Sequence, residues 1–120
     1  MNSREAPISH VPDATSPEER WRTDEITELA DALITLRSSE EALRFLRDLC
    51  TINELKELGQ RWHVARLLDA GVNYHGISTR TGASSATISR VAQWLRYGRD
   101  GYRLVIDRAV RRRGGRRSPS

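Results

Sequence analysis

With 120 residues, 38% of them apolar and 30% charged, the chain has the make-up of one modest globular domain and not of a fibrous or membrane protein. No apolar run approaches the roughly 20 residues that cross a bilayer, and no apolar stretch follows the basic residue of the N-terminus, so neither a membrane span nor a secretory signal is expected. The net charge of +4 conceals a division: residues 1–57 hold 7 Lys/Arg against 13 Asp/Glu, and residues 58–120 hold 13 against 3, so one end suits a polyanion and the other a different task.

Residues 1–17 are polar, contain three prolines and show no periodicity, which predicts a disordered N-terminal arm. A helical domain is expected over 18–110. Its first helix runs from Glu18 to about Leu36, with Ile26, Leu29, Ala30, Leu33 and Ile34 on one stripe. Ser38 lies three residues before Glu41 in a capping-box arrangement, opening a helix that carries Ala42, Leu43, Phe45, Leu46 and Leu49. Thr51 and Glu54 repeat the device for a third helix, with Ile52, Leu55, Leu58, Trp62, Ala65 and Leu68, ending at Gly71. A short helix follows from about Asn73 to Thr81, broken by Gly82. Ser84 caps a fifth, which stops at Gly98, and Asp100 starts a sixth bearing Tyr102, Val105, Ile106 and Ala109 on one face. Residues 111–120, after Val110, read as a basic disordered tail. No segment alternates with a period of two for long enough to form a strand, so the chain is all α.

The stretch from Tyr74 to about Gln93 meets the demands of a helix-turn-helix. Two short helices must meet at a sharp angle over a few residues. Ile77 supplies the apolar residue in the middle of the first, Ser78 the small residue where the helices cross, and Gly82 the turn conformation that favours glycine. Ile88 and Val91 supply branched side chains on the inner face of the second. Its outer face must be short and polar to enter a groove about 12 Å wide, and Ser85, Ala86, Thr87, Ser89 and Arg90 fit. Hydroxyls bond either donors or acceptors on base edges, and Ala or the Thr methyl can touch a thymine methyl. Arg80, Arg90, Arg96 and Arg99 flank this face as phosphate contacts. A hairpin with a solvated second helix is the plainer alternative, but it does not require the five offsets to be met together. Nineteen of the 20 basic residues are arginine, which fits bidentate phosphate contact and equally fits codon usage in a GC-rich genome.

Other chemistry is sparse. Cys50 cannot form an internal disulfide, reads as a small apolar residue at a helix end, and suits a reducing cytoplasm. His10, His63, His75 and Cys50 have no metal-ligand spacing, so no metal or other cofactor is expected. No nucleophile with a local base is readable, and no enzymatic activity is expected. Trp21, Trp62 and Trp94 suit core or interface anchors better than a ligand cage. Arg111, Arg112, Arg113, Arg116 and Arg117 are either a solvated charge run or extra phosphate contacts.

The sequence TINELKELGQRW…GASSATISRVAQWL, with its RW-H-VA-LLD-G core and LRYGRDGY ending, resembles the Trp-repressor superfamily, and within it the Trp-repressor-related YerC/YecD group. The resemblance covers roughly residues 25–110. It implies a six-helix Trp-repressor-like fold and an intertwined homodimer, with helices four and five as the reading head. Such a dimer sets two heads about one DNA turn apart, implying a palindromic operator on double-stranded DNA. Half-site reading then falls on Ser85, Ala86, Thr87 and Ser89, with His75 and Ser78 near the backbone or groove edge. The implied function is a cytoplasmic, nucleoid-associated transcriptional regulator, with repression the expected sense. The effector pocket departs from the family pattern. Arg61 and Arg90 stand where two arginines sandwich the indole of tryptophan, but Val91 replaces a glycine and Trp94 replaces a serine that meets the ligand amine. Tryptophan sensing is therefore not expected, while a different small effector at Arg61, Arg90 and Trp94 stays open. A second reading, from the acidic first half, is a dimeric protein-interaction module using the helix-turn-helix as scaffold.

Overall fold

The computed structural model describes residues 17–117. A single 3₁₀ turn, Pro17–Glu19, precedes six helices: α1 (Asp24–Leu33), α2 (Ser39–Leu49), α3 (Ile52–Asp69), α4 (Tyr74–Thr81), α5 (Ser85–Tyr97) and α6 (Gly101–Arg117). No strand occurs among the described residues, and none of the helices is long and apolar enough to cross a membrane. The arm over residues 1–16 lies outside the described residues.

Local side chains set most of the helix ends. Thr51 and Glu54 form a complete capping box: the Glu54 N–H donates to Thr51 Oγ1 at 3.1 Å, and the Thr51 N–H donates to Glu54 Oε1 at 2.8 Å. Asn73 and Ser84 accept from the third backbone N–H of α4 and α5, at 2.8 and 3.1 Å. At Ser38 the pairing shifts by one residue: the Glu41 carboxylate accepts from the Arg37 N–H, while Ser38 Oγ accepts from the Glu41 N–H. Gly71, at φ +86°, closes α3 with its own N–H to Leu68 O and the Val72 N–H to Leu67 O. That double bond needs a left-handed residue, which glycine adopts without a Cβ penalty.

Two boundaries differ from the sequence expectation. The first helix begins at Asp24, not Glu18, because Thr23 adopts an extended conformation and its hydroxyl accepts the Ile26 N–H at 3.2 Å. It ends at Leu33, where the Ile34 N–H bonds back to Ala30 O and Thr35 Oγ1 donates to Ala32 O. At the other end, helical backbone continues past Val110 to Arg117, so α6 extends into the basic stretch. Arginine is among the better helix formers.

The chain divides into two compact units at Asp48–Leu49. The first contains α1 and most of α2, and neither helix buries a residue. Apolar side chains of both are visible to solvent within the chain, Ile26 at 41% and Leu43 at 62% exposure. The second contains α3 to α6 around one core. Val64 and Ala65 of α3, Ile77 of α4, Ala83 of the turn, Ile88, Val91 and Ala92 of α5, and Ile106 of α6 are all buried. Trp62, Leu67, Leu68, Val72, Leu95 and Tyr102 pack around them. An exposed ion pair from Arg103 to Asp69, 2.7 Å, joins α6 to the end of α3, with Asp107 at 3.5 Å on the same guanidinium.

Candidate nucleic-acid interface

The inward face of α4 and α5 is fixed by burial. Ile77, Ile88 and Val91 are fully enclosed, as the motif spacing requires. Burying branched side chains on one face of a short helix leaves the opposite face to solvent. On α5 that opposite face carries Ser85, Ala86, Ser89, Arg90 and Gln93, all exposed. His75 and Arg80 are exposed on α4, and Arg96 and Arg99 are exposed toward and just past the end of α5.

Two predicted contact residues are partly committed elsewhere. Ser78 is half-buried and its hydroxyl donates to the Ala83 carbonyl at 3.0 Å, inside the turn. Thr87 is half-buried, and its hydroxyl accepts from Ser84 Oγ at 3.2 Å. The turn itself is built on Gly82, at φ +77°, whose N–H reaches Ser78 O at 2.8 Å. Thr81 Oγ1 donates to Ile77 O at 2.8 Å and accepts from the Ala83 N–H at 3.0 Å.

Beside the exposed face of α5, Arg61 and Arg90 line a cavity of about 200 Å³ with Glu57, Gln60, Thr87, Val91 and Trp94. The three expected effector-pocket residues are thus together. Thr87 belongs to the same cavity, a grouping the outer-face reading did not anticipate. Val91 is fully buried in the core, and Trp94, 43% exposed, also borders a second, apolar cavity of about 620 Å³. That cavity is lined by Trp62, Tyr102 and Val105, with Gly98, Arg99 and Gly101. The Trp62 and Tyr102 rings stack with centroids 6.5 Å apart. Burial pushes the Tyr102 phenol above its ordinary range, and the Arg61 charge partly offsets that. No group of His, Cys, Asp and Glu among the described residues could hold a metal ion.

Sequence reasoning missed Gln60. Its side-chain amide donates to the Thr81 carbonyl at 3.2 Å, linking α3 to the end of α4. Helical spacing carries a hint, since Glu57 lies three and four residues before Gln60 and Arg61, and Val64 four and three after them.

Comparison with known proteins agrees with this architecture. A family model described as Trp repressor protein matches residues 24–110. The uncharacterized protein YerC of Bacillus subtilis is 49% identical over 90 residues, covering 75% of this chain and 86% of YerC. The crystal structure of a candidate Trp repressor from Staphylococcus aureus superposes with a TM-score of 0.73 at 42% identity, over 79% of this chain and 95% of that one. A TrpR-like protein from Eubacterium eligens gives 0.71 at 43% identity, over 75% and 93%.

Proposed function

Because the chain belongs to the Trp repressor family, we propose that it is a homodimeric, sequence-specific DNA-binding regulator, a repressor, that reads a palindromic operator with α5. The observation that carries this reading is the exposed, short-chained edge Ser85, Ala86 and Ser89 on a helix whose opposite face is locked into the core. A helix presented in this way enters a major groove, where hydroxyls and a methyl-sized side chain discriminate base edges. Thr87 reads with them through its methyl while its hydroxyl stays with Ser84.

His75, Ser78, Arg80, Arg90, Arg96 and Arg99 serve the phosphate backbone. These contacts fix the register of the head and make affinity fall steeply with salt. The arginine-rich stretch after Val110 adds further phosphate contacts, without sequence preference. Support for the dimer comes from α1 and α2, whose apolar stripes stay exposed within the chain and need a second copy to bury them.

Reading needs no tryptophan. The buried Val91 and the bulk of Trp94 stand on the α5 side of the Arg61–Arg90 cavity, and about 200 Å³ is small beside the usual volume of a ligand pocket. The head is therefore held in place by the protein's own side chains, and any effector there is small and polar.

Changing Ser89→Glu tests the reading. It leaves the core untouched and places a carboxylate against base edges and phosphates. Binding to the preferred duplex, followed by fluorescence anisotropy, should drop about a hundredfold or more. Unchanged binding would remove α5 from the reading role.

A further inference from the structure

The turn between α4 and α5 sets where the reading edge begins, and it is held by four side-chain hydrogen bonds. Three are local, made by Ser78 and Thr81 within residues 77–83. The fourth comes from α3, where Gln60 Nε2 donates to the Thr81 carbonyl across 21 positions of sequence. Thr81 is the last residue of α4, and the final carbonyls of a helix have no intrahelical partner. A half-buried acceptor of this kind costs free energy if left unpaired, so the Gln60 amide meets a real need. The local bonds fix the shape of the turn. The Gln60 bond fixes its place against the scaffold helix. Gln60 also lines the Arg61–Arg90 cavity, in which Thr87 represents the first turn of α5, so its amide sits between the end of one head helix and the start of the other.

We propose that Gln60 is a positioning residue for sequence reading, holding the α4–α5 turn against α3 so that Ser85 to Ser89 enter the groove at a defined height. This rests on the reading of α5 as the recognition helix. It predicts a division that general loss of stability would not produce. Phosphate contacts tolerate a small displacement of the head, whereas hydrogen bonds to base edges weaken steeply outside about 2.7–3.2 Å.

The experiment compares the full-length wild type with Gln60→Met, which keeps side-chain length and packing but has no donor. Affinity for the preferred duplex should fall about three- to tenfold, the range for loss of one hydrogen bond. Affinity for an unrelated duplex should stay within about twofold, and the backbone amide resonances of Gly82 and Ala83 should shift. In Gln60→Glu the ionised carboxylate cannot donate to Thr81 O, so the loss should be greater. Those same resonances should return toward wild type as the pH falls and the carboxyl regains a proton. Wild-type affinity and unchanged resonances in Gln60→Met would overturn the proposal, as would equal losses on both duplexes. If the wild type prefers no duplex, the regulator reading fails, while the Gly82 and Ala83 resonances still decide whether Gln60 holds the turn.

Discussion

Ile88 is the residue on which the helix-turn-helix should depend most for its stability. Its side chain is fully buried on α5 between α3 and α4, while its neighbour Ser89 points to solvent. Truncation to alanine removes three carbons, worth about 0.8 kcal/mol each in transfer from water. A residual void of about 40 Å³ would add about 1 kcal/mol at 24 cal/mol per Å³. The expected loss for Ile88→Ala is therefore about 3–4 kcal/mol, a large share of the roughly 5–15 kcal/mol that holds a domain together. Urea titration followed by far-UV circular dichroism measures it, at one fixed protein concentration because dimerisation would couple stability to concentration. In a thermal melt the midpoint should drop by about 12–32 °C. Ser89→Ala, one residue away on the opposite face, should change stability by less than about 0.5 kcal/mol. A loss below about 1 kcal/mol for Ile88→Ala would refute the packing described for α3, α4 and α5.

Gly82→Ala should cost about 1 kcal/mol in the same assay, because φ is +77° but no atom lies within 4 Å of the added Cβ; Gly98→Ala should cost more, because its Cβ would collide with the Trp94 carbonyl. A Gly98→Ala protein as stable as Gly82→Ala would contradict the close of α5. The Tyr102 phenol should ionise above the 10.0 of an unperturbed tyrosine, as read by phenolate absorbance. A native value raised above the unfolded one contributes stability that is present at lower pH and lost as pH rises through the native value. Tyr102→Phe should therefore flatten the alkaline end of the stability profile. Titration at or below the free value would show that the Trp62–Tyr102 stack is open to water.

Much of this fold is legible because its signals are local. Thr51 with Glu54, Asn73, Ser84, Gly71 and Gly82 each act within a few residues of themselves, so spacing alone locates the helix ends they make. The motif core of Ile77, Ile88 and Val91 follows from the 3.6-residue period in the same way. The start of α1 is less legible, because the helix-forming residues Glu18 to Arg20 precede a threonine whose capping role depends on backbone geometry. The end of α6 is hidden by an arginine run that suits both helix and tail. Pairings across the chain leave no trace of the partner: spacing can place Gln60 on a face of α3 but cannot point to Thr81. Gln60 with Thr81, Arg103 with Asp69, and Trp62 with Tyr102 join residues on different helices, and only packing brings them together. Thr87 shows the same limit: one position on a helical wheel can border both an exposed helix face and a cavity.

The central claim is that this protein selects DNA by sequence without tryptophan. Selection from a pool of random duplexes by the purified full-length chain, in the absence and presence of tryptophan, tests it most directly. Enrichment of one palindrome is expected, with half-sites about one helical turn apart and the same outcome in both arms. A pool that remains random in both arms, or enrichment that appears only when tryptophan is added, would contradict it.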